Sequence, residues 1–281
     1  MKILRFRKDN CIKPGVLNHN DEIKDVSSVI DDWNSSNQLL QHIKKISNID
    51  LSNLPTIKEL DSIAPCVGNV GKFVCVGLNY ADHATELDMN LKLKKNEPTI
   101  FMKATSSIVG PNDDVIIPKN SLKSDWEAEL GVIIGEKGKY IKEEDAMEFI
   151  AGYCVINDVS ERTFQLERSG QWVKGKSSDT FGPIGPYLVT KDEVVDPNNL
   201  NIWLELNGQL MQSSSTNKMI HNVPYLVSYI SQFMSLHPGD IISTGTPSGV
   251  GMGMKPQRFL KSGDRIRLGI EGLGEQNQKV I

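Results

Sequence analysis

The chain has no basic excess. Its 281 residues hold 31 Lys and Arg against 35 Asp and Glu, a formal net charge of −4. A dedicated nucleic-acid binder usually carries a strong positive balance, so no nucleic-acid partner is expected. Nor does any apolar run approach the roughly 20 residues that a membrane-crossing helix needs. Met1 to Lys8 alternates and is charged, which reads as a strand rather than a secretory leader. No membrane association and a cytoplasmic setting are the expectations. Cysteine is sparse: of Cys11, Cys66, Cys75 and Cys154, none makes a C-x-x-C pair and no His stands at zinc-ligand spacing. Cys75 and Cys154 lie in apolar runs and read as buried strand thiols in a reducing compartment. Internal repeats and low-complexity tracts are also missing.

Hydrophobic residues make up 39% and charged residues 23%, which suffices for an ordinary core. Residues 1–65 read as a small N-terminal domain. Ile3, Leu4 and Phe6 suggest a first strand, Gly15–Leu17 and Ile23–Val26 two more, and 27–60 carry helical spacing broken by Asn and Ser. From 66 to 281 short apolar runs dominate: 72–77, 129–135, 152–157, 202–206, 240–244 and 265–270. Turn signals such as Asn207-Gly208 and Pro238-Gly239-Asp240 separate them. Helical spacing returns at 143–150 and at 223–234, where Val223, Leu226, Val227, Ile230 and Met234 share a face. The pattern predicts a mainly β protein with some helices, an α+β roll, sandwich or barrel.

Acidic residues stand in unusual places. In Trp126-Glu127-Ala128-Glu129-Leu130-Gly131 the strand period puts Glu127 and Glu129 on one face, with Ala128, Leu130, Val132 and Ile134 on the other. Two adjacent buried carboxylates repel, and a hard divalent cation such as Mg²⁺ or Mn²⁺ relieves that cost. A solvated strand face is the alternative. Asp158 ends the apolar run Gly152 to Asn157. It reads as a third ligand candidate, or as a strand-end turn or helix cap. Gly249-Val250-Gly251-Met252-Gly253 lacks the spacing of a nucleotide-binding loop, so a glycine-rich turn is the better reading.

Five segments then carry a resemblance. They are Gly77-Leu78-Asn79-Tyr80-Ala81-Asp82-His83, Trp126 to Gly131, Asn157-Asp158-Val159-Ser160-Glu161-Arg162, Lys174 to Pro183, and Thr244-Gly245-Thr246-Pro247-Ser248-Gly249-Val250-Gly251. In this order and spacing the chain, over residues 66–281, resembles the fumarylacetoacetate hydrolase family. The resemblance implies a mixed β-roll catalytic domain, a Mg²⁺ or Mn²⁺ ion and a homodimer. Glu127, Glu129 and Asp158 match the family's metal ligands. His83 and Glu86, three apart and so on one helical face, match its lid dyad; an exposed surface pair is the bland alternative. Lys176 matches the active-site lysine, with Lys174 its rival on the same face if the segment is a strand. Arg162, Gln165 and Thr246 match substrate-contacting positions.

The resemblance implies a 2-keto acid substrate. A 2,4-diketo acid of the acylpyruvate type would lose its C3–C4 bond to water activated by His83 and Glu86, with Lys176 assisting protonation, and yield pyruvate and a carboxylic acid. Lys13-Pro14-Gly15 and Gln171 to Lys176 resemble the branch of 2,4-diketo-3-deoxy-sugar-acid hydrolases and ureidoglycolate lyases, which suggests 2,4-diketo-3-deoxy-L-fuconate or rhamnonate. The alternatives are a ureidoglycolate lyase, a decarboxylase, isomerase or hydratase on the same scaffold, or a non-enzymatic β protein with a structural cation.

Overall fold

The computed structural model of the chain describes residues 1–34, 38–82 and 97–281. Strands dominate, with few helices, in the α+β arrangement expected. Among the described residues, eleven strands build one large sheet. Across it the order is Thr56–Ile57, Ile23–Asp25, Cys11–Leu17, Lys2–Lys8, Leu188–Thr190, Ile150–Asn157, Ala128–Ile134, Ile241–Ser243, Phe73–Gly77 and Thr99–Lys103, with Ser62–Ala64 also paired to Lys2–Lys8. Neighbours are antiparallel except Ile241–Ser243 beside Phe73–Gly77. The strands of residues 1–65 belong to this sheet. Their ladder joins the rest at Lys2–Val189 and Ile3–Leu188.

A second sheet, ordered Gln209–Ser215, Asn201–Leu206, Arg265–Ile270, Gly274–Lys279, packs against the first. Alternation explains the contact. Ala128, Leu130, Val132 and Ile134 share a core with Ile202, Leu204, Ile266 and Leu268, and with Leu226 and Ile230 of the helix Val223–Phe233. The opposite face is covered too, since Ile133 joins Phe73, Cys154 and Ile156 in a second core. Ala128–Ile134 is therefore buried at every position. Carboxylates on this strand start out with no water.

The helix Val223–Phe233 begins where sequence predicts, because the Asn222 side chain accepts from Tyr225 N and Pro224 suits the first turn. Two expectations need correction. Residues 143–149 form a 3₁₀ helix, and Ile150 already opens the strand that pairs with Ile134. Within 27–60 the helix is confined to Leu39–Ser47, followed by a 3₁₀ turn at Leu51–Asn53. No helix among the described residues is long and apolar enough to cross a membrane.

Candidate metal centre

Glu127 immediately precedes the strand Ala128–Ile134, Glu129 lies within it, and Asp158 follows the adjacent strand Ile150–Asn157. The ladder sets Ala128 opposite Asn157, and Asp158 N donates to Glu127 O at 2.9 Å. This register brings the three acids together. One oxygen from each can be chosen so that all lie within 4.8 Å of one another, and all three residues are buried. Asp158 is thus no cap; its carboxylate turns inward to Lys103 and Lys176.

Three cations face the acids. Lys176 Nζ donates to Glu127 Oε2 at 2.7 Å and Asp158 Oδ2 at 2.8 Å. Lys103 Nζ donates to Asp158 Oδ1 at 2.5 Å. Arg162 Nη1 lies 2.7 Å from Glu127 Oε1, while Nε donates to Asp125 Oδ2 at 2.8 Å. Burial alone would depress the Lys176 ammonium, but Asp158 and Glu127 outweigh it and raise its pKa. Burial is likewise outweighed at Arg162 by Asp125 and Glu127. Glu129 differs. Its Oε2 accepts from Ser243 Oγ at 2.6 Å and Gly245 N at 2.9 Å, and no cation within the described residues pairs with it. Burial, then repulsion from Asp158 and Glu127, pushes its carboxyl well above the usual range. Gly245 reaches Glu129 with a φ of +97°, a backbone state that glycine adopts freely.

Lys174 and Lys176 lie in different surroundings. Val173–Lys176 is a single helical turn, not a strand, so the two lysines diverge. Lys174 is exposed and caps Arg168 O, whereas Lys176 is buried. Gln165 lies on the short π-helical turn Thr163–Glu167 and accepts from Arg162 Nη1 at 3.1 Å. Thr246 is buried and donates to Ala128 O at 2.9 Å. Arg162, Gln165, Thr246 and Lys176 all line one cavity with Glu127 and Glu129. The rest of the described lining is Gly77 and the largely apolar Val76, Leu78, Phe101, Leu166, Trp172 and Met252. Leu78 holds a φ of 58°, a strained state for a branched side chain of the kind that clusters at functional sites. His83 and Glu86 lie outside the described residues.

Sequence reasoning missed Lys103, Asp125, Ser243 and Gln212. Asp125 is fully buried and accepts from Arg162, Gly251 N and Met252 N. Those two amides belong to the glycine-rich turn, and an internal carboxylate already satisfies them, which agrees with rejecting a phosphate loop.

The donor set fits a divalent cation. Among the described residues, Asp125, Glu127, Glu129 and Asp158 face Lys103, Lys176 and Arg162, and Glu129 is the acid without a cationic partner. Carboxylate oxygens are hard ligands suited to Mg²⁺ or Mn²⁺. Residues 72–281 match the family described as fumarylacetoacetate (FAA) hydrolase, C-terminal. The chain belongs to the fumarylacetoacetate hydrolase family. A protein of Burkholderia orbicola (strain MC0-3), named as a hydrolase, is 52% identical over 280 residues, covering 99% of this chain and 98% of that one. Fumarylacetoacetate hydrolase from the psychrophile Exiguobacterium antarcticum superposes with a TM-score of 0.87 at 37% identity, over 100% of this chain and 99% of the other. Maleylpyruvate hydrolase from Sphingobium sp. SYK-6, solved with manganese(II) and pyruvate, gives 0.81 at 28% identity, over 100% and 99%.

Proposed function

We propose that this fumarylacetoacetate hydrolase family member cleaves the C3–C4 bond of an acylpyruvate-type 2,4-diketo acid, giving pyruvate and a carboxylic acid. The observation that carries the reading is the buried carboxylate triad, whose Glu129 has no cationic partner among the described residues and lines, with Glu127, a cavity that also exposes Lys176 and Arg162. Glu127, Glu129 and Asp158 would hold a Mg²⁺ or Mn²⁺ ion. Such an ion supplies Lewis acidity to the oxygens of a 2-keto acid when bound.

The chain's own groups do the rest. His83 and Glu86 deprotonate a water, which adds to C4. The C3–C4 electron pair is left on C3 and spreads into the 2-oxo group as an enolate. Lys176, held charged by Glu127 and Asp158, stabilises that charge and helps return a proton to C3. Arg162 is already neutralised by Asp125 and Glu127, so it positions Glu127 as well as facing substrate.

For the acyl group we favour an apolar one. A fuconate- or rhamnonate-derived polyol would set its hydroxyls against Phe101, Leu166, Trp172 and Met252, where the described wall offers them few partners. A homodimer, a small-molecule substrate as sole partner and a cytoplasmic setting belong to the same proposal. The test is pyruvate release from alkyl acylpyruvates and from 2,4-diketo-3-deoxy sugar acids, with and without chelator. Turnover of alkyl acylpyruvates that chelation abolishes is expected, and it should vanish in His83→Ala while metal binding persists. No pyruvate from any diketo acid at saturating Mn²⁺ would end this reading.

A further inference from the structure

We propose that Gln212 is a positioning residue for the metal-holding strand, acting through the backbone of Ala128 between Glu127 and Glu129. The inference rests on the metal reading of the carboxylate triad. Gln212 belongs to Gln209–Ser215, a strand of the other sheet, and is fully buried. Its Oε1 accepts from Ala128 N at 3.0 Å. Its Nε2 donates to Thr246 Oγ1 at 2.8 Å and to Pro247 O at 2.9 Å. Thr246 Oγ1 donates in turn to Ala128 O at 2.9 Å. These bonds close a ring that holds the N–H and the C=O of one residue.

The ring stands where the sheet cannot. The ladder between Ala128–Ile134 and Ile241–Ser243 runs only from Gly131 to Ile133, and Thr244 N adds one more bond to Leu130 O. Beyond that point the neighbouring chain turns through Gly245 to reach Glu129. Ala128 is left without strand partners on that side, and Gln212 and Thr246 take their place. The two peptide units that flank the Ala128 Cα are each pinned at one polar group and cannot pivot, so the carboxylates on either side keep their spacing. Small divalent ions demand near-ideal geometry, which makes that spacing matter. Thr246 also has its hydroxyl proton committed to Ala128 O, so it faces the cavity as an acceptor.

Gln212→Met conserves volume but removes the donor and the acceptor. The experiment measures Mn²⁺ affinity by calorimetry, the electron paramagnetic resonance spectrum of bound Mn²⁺, and the melting temperature, all on the full chain. Mn²⁺ binding should weaken by about 10–100-fold, the range for losing a partner that orients a ligand, with a broadened spectrum. Ser231→Ala is the control. Ser231 is buried, accepts from Ile141 N at 2.9 Å and donates to Ser228 O at 2.7 Å, outside the site. It should lower the melting temperature and leave Mn²⁺ affinity unchanged. If Gln212→Met does not fold, Thr246→Val opens the same ring and should weaken Mn²⁺ likewise. Wild-type affinity in a folded ring variant, or equal weakening in Ser231→Ala, overturns the positioning role alone. A wild-type chain that binds no Mn²⁺ overturns the metal reading and this inference together.

Discussion

Replacing Lys103 by Met removes an ammonium 2.5 Å from Asp158 Oδ1, in a pair whose side chains are both fully buried. The same ammonium donates to Val159 O at 3.1 Å, which the variant leaves bare. Breaking a buried ion pair from one side costs about 3–5 kcal/mol, because the remaining charge stays buried. Asp158 keeps Lys176 at 2.8 Å, which argues for the lower end, about 3 kcal/mol. That is a large part of the roughly 5–15 kcal/mol that holds a typical domain folded. With a urea m-value of about 2–3 kcal/mol/M, the midpoint of metal-free protein should fall by about 1 M. A divalent ion at the triad returns positive charge to Asp158, so Mn²⁺ should stabilise Lys103→Met more than wild type. The assay is a pair of urea titrations with and without Mn²⁺, followed by fluorescence of the four tryptophans. A metal-free midpoint within about 0.2 M of wild type, or equal stabilisation of both proteins by Mn²⁺, refutes the assignment of Lys103 as a buried counter-ion of the centre.

Glu129 has a raised folded pKa, from burial and then from Asp158 and Glu127. The folded state therefore holds an extra proton above pH 4.5, the ordinary glutamate value, and metal-free stability should fall as pH rises from there through the raised pKa. Glu129→Gln should flatten that slope in denaturation curves and abolish Mn²⁺ binding; an unchanged slope refutes it. Asp264 is the opposite case: burial pushes it up, but Asn207, Lys261 N and Arg258 overcome that and lower it. Its contribution is complete above the ordinary pKa of 3.8 and is lost as pH falls through the depressed value, so Asp264→Asn should lower stability at neutral pH and narrow the gap to wild type in strong acid. At Gly77 an added Cβ would sit 2.4 Å from Trp172 Cζ3. Gly77→Ala should displace Trp172 from the cavity wall and cut kcat/KM by about tenfold or more, with a stability loss of only about 1–3 kcal/mol; wild-type kinetics would remove Trp172 from the site.

What the sequence made legible is what hydrophobic patterning frames. Glu127, Glu129 and Asp158 stand out because they interrupt or end apolar strands, and Val223–Phe233 because its apolar residues follow a helical period. Lys103 closes Thr99–Lys103, a strand of mixed exposure, and there a terminal lysine looks like any solvated one. Only the tertiary contact of Lys103 Nζ with Asp158 reveals it. The strands Gln209–Ser215 and Gly274–Lys279 were missed for a related reason. Their inward positions include Gln212, Gln276 and Gln278, whose amides bond to buried carbonyls and to each other, so alternation is present without hydrophobicity to display it. Lys174 and Lys176 were set on one face by assuming a strand where one helical turn occurs.

The same buried amides and cations explain how such a centre can fold at all. Three carboxylates within 4.8 Å, cut off from water, would otherwise take up protons or spring apart before any ion arrived. Lys103, Lys176 and Arg162 hold Asp158 and Glu127 in place through ion pairs, and Gln212 and Thr246 fix the backbone between the glutamates. Each of these contacts is complete within the chain. Glu129 alone is left to serine and backbone donors, with a carboxyl that burial makes reluctant to ionise. A centre in which every acid had a cationic partner would leave a metal ion no acid to claim, and one with no lysines would not assemble. Among the described residues four acids face three bases, and Glu129 is the acid left to take up a proton or a metal ion. A divalent ion in place of that proton gives one surplus positive charge, the sign and size that a singly charged keto-acid carboxylate would complete.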